Sequence, residues 1–120
     1  VSRFPDARCW VAGFSFGSWV GLRVGVDDPR IDGLLGVGMP VDKSDFSWLK
    51  TSAKPLAAVQ GGGDEFGSEN VLRVLADSLS CPRFVQVVPE GGHFFPGRFD
   101  ELRAAIDRAA GFLEDHALGT

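Results

Sequence analysis

The sequence of 120 residues has few of the features that mark metal-binding or redox proteins. Its two cysteines, Cys9 and Cys81, lack Cys-x-x-Cys spacing, so neither a zinc site nor a redox motif is indicated. No group of histidine, cysteine and carboxylate residues has metal-ligand spacing, and we expect no metal and no cofactor. A disulfide between the two cysteines is an alternative that we do not favour, because small buried thiols are common in such apolar surroundings.

Long apolar runs and an excess of basic charge are also missing. The apolar runs are far shorter than the roughly 20 residues that span a bilayer, and residues 1–6 lack the apolar core of a secretory signal. We therefore expect a cytoplasmic protein with no membrane partner. Twelve Lys and Arg stand against sixteen Asp and Glu, a net charge of −4, and the basic residues are scattered. This distribution argues against a nucleic-acid partner.

The length and composition of the sequence are typical of one globular domain. The sequence is 44% hydrophobic, with ten Phe and three Trp, which is enough to bury a core. Residues 2–6, Ser-Arg-Phe-Pro-Asp, are typical of a helix end ahead of a turn and a strand. Because natural domains seldom start in the tail of a helix, we expect residues 1–120 to be the single C-terminal part of a larger domain.

Four short apolar runs alternate with helical patterns. They predict strands at residues 9–14, 31–37, 55–60 and 84–88, separated by helices or loops. This alternation predicts the α/β class, a parallel sheet flanked by helices. Ser68 can cap a helix with an inward face of Val71, Leu72, Leu75 and Leu79. The last helix has an apolar stripe of Phe99, Leu102, Ile106, Ala109, Ala110 and Leu113, and the residues from His116 to Thr120 are expected to fray.

Two further segments are a glycine-rich helix and a long loop. In the helix predicted at residues 16–26, glycines recur at positions 17, 21 and 25 on one face. Each costs about 1 kcal/mol relative to Ala, which favours a close approach of helix to sheet; a loose or short helix is the alternative. Residues 38–53 form a loop whose apolar cluster at residues 45–49 is expected to fold back over the site.

The segment Gly-Phe-Ser-Phe-Gly at residues 13–17 is a Gly-x-Ser-x-Gly motif between a predicted strand and a predicted helix. A serine on so tight a turn has a strained backbone, and we expect side chains at positions 13 and 17 to collide with it. The N-terminus of the following helix points at Ser15, so the Phe16 amide can donate to an oxyanion. In a chain with sixteen glycines, a chance match is the alternative.

A serine nucleophile needs a histidine base and a carboxylate that orients it. His116 lies beyond the last helical stripe and is interpreted as a solvated residue. His93 follows the fourth strand directly, which favours a base over a loop histidine with a structural hydrogen bond. Asp64 follows the third strand, with Glu65 as the second choice. Ser15, Asp64 and His93 then share the edge of the sheet where ligands bind in open α/β folds.

Other motifs do not fit. Residues 33–38 have glycine spacing reversed from a dinucleotide-binding fingerprint, and the triple glycine at residues 61–63 lacks the Lys-Ser/Thr of a phosphate loop. Aromatic residues instead surround the three candidate positions in sequence and favour an apolar acyl pocket, although core packing explains several of them equally well. These residues are Phe14, Phe16, Trp48, Phe66, Phe94 and Phe95.

Taken together, these segments resemble the α/β-hydrolase superfamily, and more narrowly its small lidless branch, often described as dienelactone-hydrolase-like or KANL3/Tex30-like. The resemblance covers most of the chain and rests on residues 11–17, 45–49, 63–68 and 92–98. By this resemblance Ser15 is the nucleophile, Asp64 the acid, His93 the base and Phe16 a donor of the oxyanion hole. Members normally have four more strands ahead of the nucleophile strand, and a second oxyanion donor follows one of them.

The leading hypothesis is a serine hydrolase that cleaves an ester-like acyl bond of a small molecule. A second is a catalytically silent hydrolase-fold fragment that serves as a docking module, since the first strand would lack neighbours and its edge would be open to self-association. A third, carbon–carbon cleavage or acyl transfer, uses the same residues. Some family members have no assigned activity, so the resemblance implies a reaction type more than a substrate.

Overall fold

A computed structural model describes residues 9–118, which form four β-strands and three α-helices with one 3₁₀ helix. The prediction of an α/β class with a parallel sheet flanked by helices is confirmed. The helix end expected at residues 2–6 lies outside the described residues. The elements are β1 (Trp10–Phe14), α1 (Phe16–Asp27), β2 (Gly33–Val37), the 3₁₀ helix (Ser47–Thr51), β3 (Leu56–Gly61), α2 (Glu69–Asp77), β4 (Arg83–Val88) and α3 (Phe99–Leu118).

The four strands are parallel and lie in the order β1-β2-β3-β4. Near their carboxyl ends Phe14 pairs with Val37, Val37 with Val59, and Val59 with Gln86. Since all strands run the same way, the loops that follow them emerge at one edge of the sheet. This edge carries every candidate catalytic residue.

Both faces of the sheet are covered. All six residues of β3 are buried, as a continuous apolar run in a parallel sheet predicts. On one face Leu22 of α1 and Leu72 of α2 pack in a cluster with Leu34 and Leu56. On the other face the fully buried residues Ala105, Ala109 and Leu113 of α3 pack against Leu35, Ala57 and Val59.

The helices begin and end close to where the sequence predicts, but their buried faces differ. The Ser68 hydroxyl caps α2 by accepting from the Val71 amide at 3.4 Å, as expected. Val71 and Phe99, however, are 42% and 66% exposed, while Ala76 and Ala105 are buried. Successive helical residues point about 100° apart, so not every apolar residue of a broad stripe reaches the sheet. The fraying expected from His116 is also wrong for residues 116–118, since α3 continues through Leu118, while residues 119–120 lie outside the described residues.

The apolar cluster in the loop from residue 38 to residue 53 packs into the core rather than over the site. Phe46 and Leu49 are 3% and 1% exposed and belong to the cluster between the sheet, α1 and α2. The Trp19 Nε1 also donates to the Asp45 carbonyl oxygen at 3.0 Å. The expected cover over the site is therefore wrong for these residues, because their burial against the sheet face removes more apolar surface from water.

One side of the described chain is uncovered. β1 forms an edge of the sheet, and Phe14 on this strand is 43% exposed. On α1 the residues Phe16, Val20 and Val24 are 64%, 43% and 59% exposed at helical spacing. We call the outer edge of β1 together with these three residues the open side. An apolar stripe of this kind ordinarily packs against another element.

The remaining sequence expectations concern cysteines and membrane spans. Both thiols are free, Cys9 exposed and Cys81 buried, and burial raises the pKa of the Cys81 thiol. Within residues 9–118, none of the helices is long and apolar enough to cross a membrane.

Candidate active site

Ser15 lies at the tight turn between β1 and α1, with φ 56° and ψ −128°. Few residues other than glycine adopt a positive φ, and such strain persists only where the surroundings hold it. The Ser15 amide donates to the Val37 carbonyl at 3.0 Å, and the Ser18 hydroxyl donates to the Ser15 carbonyl at 2.6 Å. Ser15 is also the residue before α1, yet its side chain makes no capping hydrogen bond. The hydroxyl is therefore free to point elsewhere.

The two glycines of the motif have different environments. A Cβ on Gly13 would lie 2.5 Å from the Gly17 carbonyl oxygen and 2.6 Å from the Ser18 Cα, so the expected collision is present. A Cβ on Gly17 would meet no described atom within 4 Å, and the collision expected there is absent. The reason is that Gly17 faces away from the sheet, on the side of α1 that the described residues leave uncovered. Only Gly13 is required by the packing of the turn.

His93 is brought to both of the other candidate residues, with 2% of its surface exposed. Its Nε2 lies 2.7 Å from the Ser15 Oγ, and its Nδ1 lies 2.9 Å from the Asp64 Oδ2. An ionised carboxylate can only accept, so the Nδ1 of a neutral ring carries the hydrogen. The Nε2 lone pair then accepts from the Ser15 hydroxyl, as a general base requires.

Asp64 is fixed from both sides of its carboxylate. One oxygen, Oδ1, accepts from the amides of Phe66 at 2.8 Å and Gly67 at 3.0 Å. The other oxygen faces His93, and the Asp64 side chain is fully buried. A short turn of this kind is a common environment for aspartate, whose carboxylate accepts from backbone amides two or three residues ahead. The carboxylate therefore has a single orientation toward the imidazole.

Glu65 occupies a different position from its neighbour. Its Oε1 accepts from the backbone amide of His93 at 3.2 Å and does not bond the ring. Hydrogen bonds from its own backbone amide and from that of His93 lower the pKa of the Glu65 carboxyl. Of the two carboxylates weighed from the sequence, Asp64 meets the imidazole and Glu65 anchors the backbone of the loop.

Three phenyl rings surround the imidazole of His93. The ring centroids of Phe14, Phe66 and Phe94 lie 5.3, 4.7 and 5.0 Å from it. Phe94 is 68% exposed, and Phe14 and Phe66 are about 40% exposed. The other three aromatic residues expected near the site lie elsewhere. Phe16 stacks on Trp19, Trp48 packs on Phe46, and Phe95 is buried in the core under α3.

Phe16 and His116 lie at the start and near the end of two different helices. Phe16 is the first residue of α1, where an amide has no carbonyl of its own helix to donate to. His116 is exposed near the end of α3, and its Nδ1 lies 2.9 Å from the Phe112 carbonyl oxygen, away from the three candidate residues. In the described part of the chain, no three His, Cys, Asp or Glu side chains are grouped so that they could hold a metal ion.

Comparisons with known proteins point in the same direction. No protein-family model matches the chain. An uncharacterized protein from Rickettsia prowazekii is 29% identical over an alignment of 112 residues, and the match covers 86% of this chain and 47% of that protein. Among solved structures, a protein of unknown function from Agrobacterium tumefaciens, considered a candidate α/β hydrolase, matches 96% of this chain and 54% of its own at a TM-score of 0.80 and 28% identity.

A second solved structure is described as a member of the α/β serine hydrolases without a lid and comes from Xanthomonas campestris. It matches 88% of this chain and 47% of its own at a TM-score of 0.75 and 28% identity. The chain thus spans about half the length of each of these three proteins. Its four parallel strands with flanking helices are part of an α/β-hydrolase fold.

Proposed function

We propose that the protein is a serine hydrolase of ester-like acyl bonds, of the lidless dienelactone-hydrolase-like kind. Ser15 attacks the substrate carbonyl, His93 takes the hydroxyl proton and returns it to the leaving group, and Asp64 holds the imidazole. One observation carries this proposal: an unbroken series of hydrogen bonds runs from the Ser15 Oγ through both ring nitrogens of His93 to the Asp64 Oδ2. The cytoplasmic location stays a prediction from the sequence.

The oxyanion formed in this reaction needs donors. The Phe16 amide at the N-terminus of α1 is the proposed first donor, and the positive end of the helix dipole adds to it. We place the second donor in a further segment of the same domain, as the superfamily resemblance implies.

This further segment is proposed to be N-terminal strands that pair with the edge of β1. The open side supports this, because it combines an unpaired strand edge with the exposed residues Phe16, Val20 and Val24. The length of the matched proteins, about twice that of the chain, agrees. Determining whether the reading frame continues upstream of Val1 tests this part directly. A stop codon immediately upstream would reject it.

Turnover of a short-chain ester tests the proposed reaction. Ser15→Ala should lower kcat by roughly four to six orders of magnitude, because the three residues act as a unit. Ser47→Ala is the matched control, an exposed serine in the 3₁₀ helix, and should keep the parent rate. Ester hydrolysis that persists in Ser15→Ala would rule the proposal out.

The acyl group is proposed to be apolar, since Phe14, Phe66 and Phe94 lie around His93 with part of each ring exposed. Phe94→Ala should lower kcat/KM for a hexanoyl ester by about tenfold relative to an acetyl ester, because it removes apolar contact area. Phe99→Ala is the control, with 66% exposure against 68% for Phe94. Equal losses in the two variants would contradict an apolar subsite at Phe94.

A second candidate function is a docking module without turnover, which the open side favours. Size-exclusion chromatography and intrinsic fluorescence distinguish it from the hydrolase. A compact monomer that hydrolyses esters argues against a docking role. Obligate association without turnover supports it, because an unpaired strand edge recruits another chain.

A further inference from the structure

Gln60 is a fully buried polar side chain that the proposed reaction does not use. It lies in β3, next to the last residue of the strand, and has no solvent-exposed surface. A primary amide in such a place is costly unless its hydrogen bonds are made. An apolar residue would continue the preceding buried run of β3 without that cost. A role for the Gln60 amide is therefore expected in its hydrogen bonds.

The amide joins two loops at the carboxyl edge of the sheet. Its Oε1 accepts from the Met39 amide at 3.0 Å, and its Nε2 donates to the Met39 carbonyl at 2.8 Å. The second hydrogen of the Nε2 group is donated to the Gly67 carbonyl at 2.8 Å. The Gln60 side chain thus bonds both the amide and the carbonyl of Met39, as the backbone of a neighbouring strand would. Its Nε2 group also bonds the loop that follows β3.

Gly67 connects this arrangement to the proposed acid. The Gly67 amide donates to the Asp64 Oδ1 at 3.0 Å, while its carbonyl accepts from Gln60. A Cβ at Gly67 would collide with the Met39 carbonyl oxygen and the Gln60 amide, so these groups are packed without spare room. Asp42 adds a more exposed connection, since its carboxylate accepts from the amide and the hydroxyl of Ser68.

We propose that Gln60 is a positioning residue, which acts through Gly67 to keep the Asp64 carboxylate against His93. The inference rests on the proposed function for its kinetic consequence. Without the amide, the Met39 amide and the Gly67 carbonyl lose their partner inside the protein, while the Met39 carbonyl keeps the Val41 amide as a donor at 2.8 Å. The loop then shifts to find other partners, and a shift of about 1 Å in a catalytic group is enough to slow a reaction by about 100-fold.

The test uses two substitutions of similar size, Gln60→Met and Gln60→Glu, with Gln86→Met as control. Gln86 lies on the neighbouring strand β4 and bonds Arg108, away from the acid loop. Gln60→Met should lower kcat by about 10- to 100-fold with little change in KM, because Gln60 does not touch the substrate. Gln86→Met should keep the parent kcat.

Gln60→Glu adds the pH dependence of the hydrolysis rate as a measurement, which should not change if Gln60 only stabilises the fold. The protonated carboxyl keeps one donor for the Met39 or Gly67 carbonyl, whereas the ionised carboxylate faces both oxygens without a donor. In Gln60→Glu the rate of ester hydrolysis should fall with rising pH relative to the parent protein, as the buried carboxyl ionises. The same pH profile in Gln60→Glu and the parent protein would overturn the inference.

Proton NMR separates this inference from the proposed function. A histidine Nδ1 proton bonded to a carboxylate resonates far downfield, and the signal should weaken or move upfield in Gln60→Met but not in Gln86→Met. This change can be measured even if the parent protein hydrolyses no ester, in which case only the proposed function fails. If the parent is active and both Gln60 variants keep the signal and the parent kcat, only the positioning role fails. If Gln60→Met does not fold, Gln60→Glu decides the question.

Discussion

The carboxyl edge of the sheet and the open side differ in burial and in hydrogen bonding. At the carboxyl edge, His93 is 2% exposed and bonds Ser15 and Asp64 through its two ring nitrogens. On the open side, Phe16 and Val24 are 64% and 59% exposed, and within residues 9–118 β1 has a neighbouring strand on one side only. The difference teaches that Ser15, Asp64 and His93 are brought together by the loops after β1, β3 and β4 alone, without a contribution from the open side.

After the loss of the Ser15 hydroxyl itself, the largest effect is expected from the two adjacent carboxylates of the site. Asp64→Asn should lower kcat by about 10⁴-fold, because a neutral amide does not hold the imidazole in the tautomer that leaves Nε2 free to accept the serine proton. Glu65→Gln should lower it less than tenfold, since the amide oxygen can still accept from the His93 backbone. Steady-state ester hydrolysis measures both. A larger loss in Glu65→Gln than in Asp64→Asn would reverse the proposed assignment.

The glycines of the motif give the next largest difference. Gly13→Ala should destabilise the protein by about 1–3 kcal/mol, because the new Cβ meets the backbone of residues 17 and 18. Gly17→Ala should be neutral or stabilising by up to about 1 kcal/mol, since alanine is the better helix former and the described chain leaves room. Urea unfolding measures both values. Marked destabilisation by Gly17→Ala would mean that a further segment packs there.

A smaller effect is expected at the C-terminal end of α1. The Lys54 ammonium donates to the Gly25 carbonyl oxygen in the last turn of α1, and also to the Asp28 carbonyl oxygen, which accepts from the Ile31 amide as well. Lys54→Met should therefore lower the free energy of unfolding by about 1–2 kcal/mol. The catalytic rate should stay the same, since Lys54 is not among the groups that bond the site. A neutral effect on unfolding would contradict this account of the helix end.

The smallest effect concerns the open side itself. In the chain alone, Val24→Lys should change the free energy of unfolding by no more than about 0.5 kcal/mol, because the side chain is already exposed. Where an upstream segment covers α1, the same substitution should cost more than about 1 kcal/mol, since it buries a charge. Thermal unfolding of the chain and of an upstream-extended protein measures the two values. Equal effects in both would show that no segment covers Val24.

Much of the fold follows from the sequence because it depends on short-range patterns. Apolar runs of five or six residues and the glycine-flanked Ser15 predict the strands, their parallel direction and the edge of the sheet at which the candidate residues collect. Ser15, Asp64 and His93 lie together at that edge, while their roles stay predictions.

What could not be predicted depends on packing. Neighbours distant in sequence set the exposure of Val71 and Phe99, the burial of Phe46 and Leu49, and the space around Gly17. Gln60 carries only a faint signal, a polar residue at the end of an apolar run, and nothing local identifies Met39 and Gly67 as its partners.

The central claim is that His93 makes Ser15 nucleophilic, and a fluorophosphonate probe tests it most directly. Incubation followed by peptide mapping should find the probe on Ser15 of the parent protein and nowhere in Ser15→Ala. In His93→Ala the labelling rate should fall by about 10³-fold or more, because the hydroxyl loses its base. Labelling at another serine, or at Ser15 with an unchanged rate in His93→Ala, would contradict the account.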